Sequence, residues 1–356
     1  MQGYSPAAKI GHWFREDFET PVLELVGGPA RFRVIMLLAC VLGLDAADKA
    51  TIGAIAIGLE QALHIGNIQV GLLVTVATGI GAIATLPLGV LADRVRRVRL
   101  LTIAVLIWSV AMAVSGFSTS YEMLLVTRIA LGAIVATAAP TVASLIGDFF
   151  HAAERGRIFG FILTGELLGA AFGFLISGSI ADFFTWRAPF WVLAVIGTAL
   201  AAALHWGLPE PARGGKSRLS PGATRIVEAD DASEGPQENA SQNDEKEDED
   251  RVEEEIEEAG IGPLPGRVLK KDPAQMSWPR AVGYILSTRT NLLIIIASAL
   301  GYFYLTGLRT FGVVYMHDHF NLSQAAGSAI LVASGLGAIA GVLLVGRVAD
   351  RLIKRG

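Results

Sequence analysis

Charged side chains interrupt three long apolar stretches of the sequence, at positions that would lie deep inside a membrane. Asp45, Asp48 and Lys49 are grouped in the first stretch, Arg128 lies in the fourth and Glu166 in the fifth. An ionisable group at the middle of a bilayer costs at least about 2.5–3.5 kcal/mol, and such groups face a protein interior or a water-filled cavity. We therefore take these five residues as the main candidates for function.

Helical spacing predicts how the first three of these residues interact. Asp45 and Asp48 are three residues apart and share a helix face, whereas Asp45 and Lys49 are four apart and can form an ion pair. Loss of water favours the neutral carboxyl group and a nearby cation favours the carboxylate, so the protonation state can change with conformation. Two interpretations stay open: a carboxyl group that carries a coupled proton, or a permanent structural ion pair.

Depth along the helices predicts a partner for Arg128. At 1.5 Å per residue, Arg128 lies roughly 10 Å and Asp48 roughly 16 Å from the same membrane face. We predict that Arg128 approaches Asp45 or Asp48, directly or through water. Glu166, near the middle of its stretch, either lines the cavity as a substrate or proton site or only hydrates a polar groove.

Arg309 lies near the end of the seventh stretch, and His317, Asp318 and His319 follow it. These residues form either a gate or pH-sensitive cluster, because histidine titrates near neutral pH, or an exposed polar loop. Two histidines and one aspartate are too few to predict a metal site. The P-loop, HExxH and nucleophile-elbow motifs do not occur, so we predict no enzyme activity, no cofactor and no nucleic-acid partner.

The elements that position these residues are membrane helices. Only 17% of the 356 residues are charged and 52% are hydrophobic, whereas soluble proteins carry about 25% charged residues. A helix needs about 20 mostly apolar residues to cross the hydrocarbon core. Eight segments qualify: 33–59, 68–91, 98–118, 121–149, 157–182, 188–208, 291–316 and 323–350.

Arginine and lysine predict the orientation of these helices, because they accumulate in cytoplasmic loops. On one side of the membrane the only Arg or Lys residue in the loops is Arg187. These loops are 59–67, 116–121, 182–188 and 317–322. We therefore expect a multi-pass protein of the inner cell membrane whose N-terminus, long loop and C-terminus are cytoplasmic. The lipid bilayer is its first predicted partner.

A long acidic segment separates the sixth and seventh helices. Residues 228–258 are rich in Asp and Glu and lack aromatic residues, a composition that is typical of disorder. This segment is either a solvated linker or a docking tail for a basic partner.

The predicted domains are a cytoplasmic segment, a six-helix bundle, an acidic linker and a partial second bundle that begins with an interfacial helix: 1–32, 33–208, 209–276 and 277–356.

A repeated sequence relates the two bundles. Segment 89–97 reads GVLADRVRR after the second helix, and segment 346–355 reads GRVADRLIKR after the eighth. Both contain G-x-[VL]-A-D-R followed by basic residues, at equivalent places. Two related halves are typical of membrane transporters.

These segments resemble the loop signature G-x-L-A-D-R-x-G-R-R of the major facilitator superfamily, from which they depart at Arg96 and Ile353. Arg128-x-x-x-Gly132 resembles the superfamily motif of the fourth helix. The resemblance implies an all-α membrane protein with the major facilitator fold: a six-helix N-terminal bundle plus the first two helices of the C-terminal bundle. Because the family normally has twelve helices, we expect a fragment of a longer chain, or else a short protein that must assemble.

The resemblance also implies roles for particular residues. In the family, the signature carboxylate, here Asp93, lies near the N-terminus of the eleventh helix and stabilises one closed face; symmetry places Asp350 at the N-terminus of the fifth, near 153–157. The alternative is a role in topology alone. The predicted conformational latch comprises Gly89, Asp93, Arg94, Arg97, Gly346, Asp350 and Arg351.

Two weaker resemblances concern other helices. Asp48-Lys49 is similar to the acid–base pair in the first helix of Spinster-like members. Those members also carry a Glu seven residues after the Arg of the fourth helix, a position that is Val135 here. Gly160, Gly169 and Gly173 match part of a drug-exporter signature, but close helix packing explains them better.

The expected function is secondary active transport of a small organic solute by alternating access, coupled to protons. Helices one, four, five and seven would provide the site. The alternative is a non-transporting or inactive truncated membrane protein that binds a partner through its acidic loop. The sequence does not predict the substrate or the oligomeric state.

Overall fold

A computed structural model shows a protein made of helices over the residues that it describes, which are 26–92, 94–212, 217–219, 222, 278–335 and 337. In chain order the helices are α1 Pro29–Ala54, α2 Ala56–Leu63, α3 Asn67–Ala92, α4 Arg97–Gly116, α5 Tyr121–Val135, α6 Ala138–Phe149, α7 Ala152–Phe183, α8 Ala188–Gly207, α9 Trp278–Ser287 and α10 Arg289–Phe320. Residues 324–335 form an eleventh helix, α11.

Six helical stretches among the described residues are long and apolar enough to cross a membrane. They are α3, α4, α5 together with α6, most of α7, α8 and α10. Helix α1 falls outside this set because every 18-residue window within it contains three or more charged residues. The protein is therefore a multi-pass membrane protein, and its first helix carries Asp45, Asp48 and Lys49 within an apolar sequence.

Two of the predicted spans are interrupted. The first is divided into α1 and α2 at Ile55, and the fourth into α5 and α6 at Ala136 and Thr137. Pro140 explains the second break, because a proline ring clashes with the carbonyl four residues earlier and removes that hydrogen bond. The carbonyl group that loses its helical hydrogen bond is that of Ala136, which also lines the cavity described below.

Small residues let α1 and α7 cross closely. A Cβ atom at Gly173 would lie 2.6 Å from the Cα atom of Ala47, and one at Gly169 would overlap the backbone of Gly43. Close packing therefore explains two of the three glycines noted in the sequence, since small residues allow membrane helices to approach. The third, Gly160, has no neighbour within 4 Å of such a Cβ atom.

Two further helix pairs complete the bundle. A Cβ atom at Gly132 in α5 would overlap the carbonyl group of Ala77 in α3. On the other side, a Cβ atom at Gly197 in α8 would lie 2.7 Å from the ring of Trp108 in α4. Helix α1 is thus held by α7 while its charged face is left to the space beside α3 and α5.

The described residues form two compact units, of which one comprises residues 278–309 and the other the rest. The smaller unit contains α9, which matches the predicted helix 277–288 and exposes the apolar side chains Val282, Ile285 and Leu286. The predicted acidic run 228–258 lies outside the described residues. The domain boundaries therefore stay predictions.

Candidate functional site

Three charged residues in the second half of α1 line a cavity of about 300 Å³. Asp45, Asp48 and Lys49 form one wall of this cavity and Arg128 of α5 another, and Thr78 of α3 faces them. The remaining lining is mostly aliphatic. A ligand pocket of this kind combines apolar walls with a few polar groups that orient the ligand.

Asp48 and Arg128 form a buried ion pair. Nη1 of Arg128 donates to Oδ1 of Asp48 at 2.7 Å, and the two side chains are only 3% and 8% exposed. Nη2 of Arg128 lies 3.4 Å from Oγ of Ser115, and the guanidinium lies 5.1 Å from the ring centre of Phe190. The contact predicted between Arg128 and one of the two aspartates is thus present. Together with Ser115 and Phe190, Asp48 holds the guanidinium group of Arg128 in place.

Asp45 and Lys49 form a second ion pair of a different kind. Nζ of Lys49 donates to Oδ2 of Asp45 at 2.6 Å, but the Lys49 side chain is 51% exposed. Oδ1 of Asp45 is buried and has no hydrogen-bond partner in the described part of the chain. The cation of this pair can therefore meet a ligand, and its carboxylate has one free oxygen.

Glu166 lies behind these residues on α7. It is close to Asp45 and Lys49, because α7 approaches α1 here: a Cβ atom at the neighbouring Gly165 would lie 2.9 Å from the carbonyl oxygen of Ala39. Glu166 is half-buried and does not line the 300 Å³ cavity. Glu166 therefore borders the charged residues of α1 without lining the cavity.

The residues predicted at the end of the seventh span are distributed differently. Arg309 belongs to the smaller unit, and its part in the site stays a prediction. His319 stacks on Tyr315 with ring centres 4.2 Å apart, and Nδ1 of His317 lies 2.9 Å from the carbonyl oxygen of Leu322. Among the described residues, no group of three His, Cys, Asp or Glu could hold a metal ion.

Glu60 lies close to His317 and Asp318 and was not among the predicted site residues. It lies in α2, just beyond the first predicted span, and one of its carboxylate oxygens is buried without a partner among the described residues. Burial raises the pKa of Glu60, the negative charge of Asp318 raises it further, and His317 opposes the shift.

Arg97, one of the predicted latch residues, lies in a buried polar network. It forms an ion pair with Asp148 at the end of α6 and donates to Oγ of Ser144 at 2.9 Å. The carboxylate of Glu210 accepts the backbone N–H groups of Arg97 and Val98 at 2.7 and 2.8 Å. An anion at a helix N-terminus is stabilised by the helix dipole, so Arg97 links α4, α6 and the segment after α8.

The other latch residues are less informative. Arg94 is exposed, and a Cβ atom at Gly89 would lie 3.9 Å from Pro140. The remaining four lie outside the described residues: Asp93, Gly346, Asp350 and Arg351. Asp148 and Glu210 were missed, although Asp148 lies in the last turn of the fourth predicted span and Glu210 just after the sixth, on the same side as the arginines.

Together these features define a multi-pass membrane protein with an ion-paired cavity inside a helical bundle. The sequence pattern of the Major Facilitator Superfamily matches residues 37–356, and the chain belongs to this superfamily. The all-helical fold is that of the superfamily, as the signature loops predicted. It is a superfamily of transporters rather than of enzymes.

The curated proteins that are similar to the chain include two transporters of named substrates. It is 28% identical over 185 residues to the 4-hydroxybenzoate transporter PcaK of Pseudomonas aeruginosa, covering 52% of this chain and 41% of that protein. It is also 28% identical over 190 residues to the probable L-galactonate transporter of Escherichia coli K12, covering 52% and 42%. The matched segments thus span about two fifths of these relatives.

The structural match is longer. A crystal structure of a bacterial homolog to the human lysosomal transporter Spinster superposes with a TM-score of 0.61 at 20% sequence identity. The match covers 92% of this chain and 64% of the other. It establishes the fold.

Proposed function

We propose that the protein is a proton-coupled secondary transporter that moves a small organic acid by alternating access. The observation that carries this proposal is the 300 Å³ cavity, which two ion pairs of unequal exposure line within a major facilitator fold. The protein lies in the inner membrane with its N-terminus and long loop in the cytoplasm, as the distribution of arginine and lysine favours.

The cavity favours a substrate that carries a carboxylate. Lys49 is a cation on a flexible stem with half of its side chain exposed to the cavity, and its ammonium group has three donors for an anion. The names of the two curated relatives specify 4-hydroxybenzoate and L-galactonate. Both compounds are small organic acids, which supports the same class for this chain.

Coupling to a proton follows from competition for Lys49. A substrate carboxylate that binds Nζ of Lys49 displaces Oδ2 of Asp45, which then has no cation in contact. The Asp45 side chain is only 18% exposed, and an unpaired carboxylate is disfavoured where it is buried, so Asp45 takes a proton from water on the open side. One anion and one proton are then carried together, and the proton leaves when Lys49 returns to Asp45.

Asp48 has a different part in this scheme. Its pairing with the buried Arg128 fixes one wall of the cavity. The two aspartates, three residues apart, are therefore assigned to coupling and to structure.

Uptake by the purified protein in liposomes tests the proposal. With a proton gradient directed inward, we expect accumulation of radiolabelled 4-hydroxybenzoate or L-galactonate that a protonophore abolishes. The uncharged analogue 4-hydroxybenzyl alcohol is the matched control and should not compete. If neither acid binds or accumulates, or if the alcohol competes as well as the acid, the proposed substrate class is wrong.

A further inference from the structure

A carboxylate joins α7 to α11 at the end of the bundle that is predicted to face the periplasm, here called the outer end. Asp182, in the last turn of α7, accepts the backbone N–H of Ala325 at 3.0 Å and the side-chain amide of Gln324 at 3.1 Å. Ala325 lies in the first turn of α11, where N–H groups have no partner within the helix. A negative charge is favoured at that position by the helix dipole.

Gln324 extends the same contact to a third helix. Its side-chain oxygen accepts the backbone N–H of Gly58 at 3.3 Å. Gly58 lies in the first turn of α2, just after the break at Ile55. One glutamine thus satisfies a free donor of α2 with its oxygen and binds Asp182 with its nitrogen.

The helices around this contact are closely packed. A Cβ atom at Gly178, one turn before Asp182, would lie 2.5 Å from Oγ of Ser328, which is fully buried. On α3, a Cβ atom at Gly71 would lie 3.1 Å from the ring of Phe311 in α10. The outer end is therefore closed by α2, α3 and α7 against the outer part of α10 and α11.

These contacts exist only while the outer ends of the helices stay together. We propose that Asp182 and Gln324 form an outer latch, which holds the transporter closed toward the periplasm and must break when that side opens. The outer latch lies at the opposite end of the helices from the signature loops. It rests on the alternating access of the proposed function, but not on the substrate or on proton coupling.

Cysteine accessibility measures the outer latch directly. In a Cys40→Ser background, Thr78→Cys places a reporter in the cavity, and a membrane-impermeant maleimide is applied to spheroplasts or to inverted vesicles. For Asp182→Ala we expect labelling from outside to become about threefold to tenfold faster and labelling from inside to become slower. The changes are reciprocal because one equilibrium between two states is shifted.

A second variant tests the same surface without touching the charge. Gly178→Leu inserts a side chain against Ser328 and should shift labelling in the same direction. Its matched control is Gly160→Leu, on the same helix, where a Cβ atom has no neighbour within 4 Å. Glu122→Gln is the control for charge, since Glu122 is fully exposed at the same end of the bundle; both controls should leave the labelling rates unchanged.

The outcomes decide between three cases. Reciprocal changes in Asp182→Ala and Gly178→Leu support the outer latch, even if the protein takes up no organic acid. Unchanged rates in both variants overturn it. Faster labelling from both sides also overturns it, because it indicates a loosened bundle. If either variant fails to insert, Gln324→Ala is measured in its place with the same expected result.

Discussion

Removing one partner of the buried ion pair should cost far more stability than removing one partner of the exposed pair. Asp48→Ala leaves the charge of Arg128 in a site where its side chain is 3% exposed. Breaking a buried pair in this way destabilises by about 3–5 kcal/mol, because the remaining charge is not compensated. Asp45→Ala leaves Lys49, whose side chain is 51% exposed, and pairs with such access to water contribute about 0–1 kcal/mol.

A double-mutant cycle separates the pair from its surroundings. Asp48→Ala combined with Arg128→Met removes both charges and fills the space of the arginine stem. We therefore expect the double variant to recover about 1–3 kcal/mol relative to the sum of the single variants, within the range seen for residues in direct contact. The corresponding cycle for Asp45 and Lys49 should give a coupling energy below about 1 kcal/mol.

The assay is the free energy of unfolding of the purified protein in mixed micelles, titrated with SDS. Arg99→Gln, at an exposed position of α4, is a control that should change the result by less than about 0.5 kcal/mol. Equal losses for Asp48→Ala and Asp45→Ala would refute the assignment of one pair to structure and the other to the cavity. So would full additivity of the Asp48 and Arg128 variants.

Three further results are expected. Lys49→Gln should raise the KM for an organic acid at least about tenfold, the size of one lost charged hydrogen bond, whereas Lys49→Arg should keep it within severalfold. If Lys49→Gln and the unchanged protein have the same KM in uptake assays, the anion site is contradicted. Gly169→Leu should prevent α1 and α7 from packing and lower the yield of folded protein by size-exclusion chromatography, whereas Gly160→Leu should not. Glu60→Gln should raise the free energy of unfolding at about pH 7 and leave it unchanged at about pH 4. A carboxyl group whose pKa is raised by folding destabilises the folded protein as pH rises from its unfolded pKa to its folded pKa, and glutamine does not.

Much of the fold could be predicted because the physical signals are local. A run of apolar residues long enough to cross a bilayer identifies each span without knowledge of its neighbours. A contact of Arg128 with Asp45 or Asp48 could be predicted because depth along a helix follows from residue number. The break between α5 and α6 was also within reach, since Pro140 lies inside the fourth span.

Other features depend on packing between distant segments and could not be predicted in this way. Asp45 and Asp48 have the same side chain and neighbouring positions, and only the packing of α5 shows which of them meets Arg128. Asp182 and Gln324 are separated by 142 residues, and neither belongs to a recognisable motif. The partners of Arg97 were hidden because the loop signature suggests an exposed basic loop.

The proposed function assigns the two ion pairs to different tasks. One charged group must hold its place so that the cavity keeps its shape, and another must exchange partners as the substrate arrives. Asp48 with Arg128 is suited to the first task by burial, and Asp45 with Lys49 to the second by exposure. This difference in exposure, more than the presence of charge, supports the proposed coupling.

The most direct test of this account is the transport of an organic acid by Asp45→Asn in liposomes. We predict that this variant still exchanges labelled for unlabelled acid across the membrane, because Lys49 remains to bind the carboxylate. It should no longer accumulate the acid when an inward proton gradient is imposed, because the group that takes up the proton is gone. Accumulation equal to that of the unchanged protein would contradict the account.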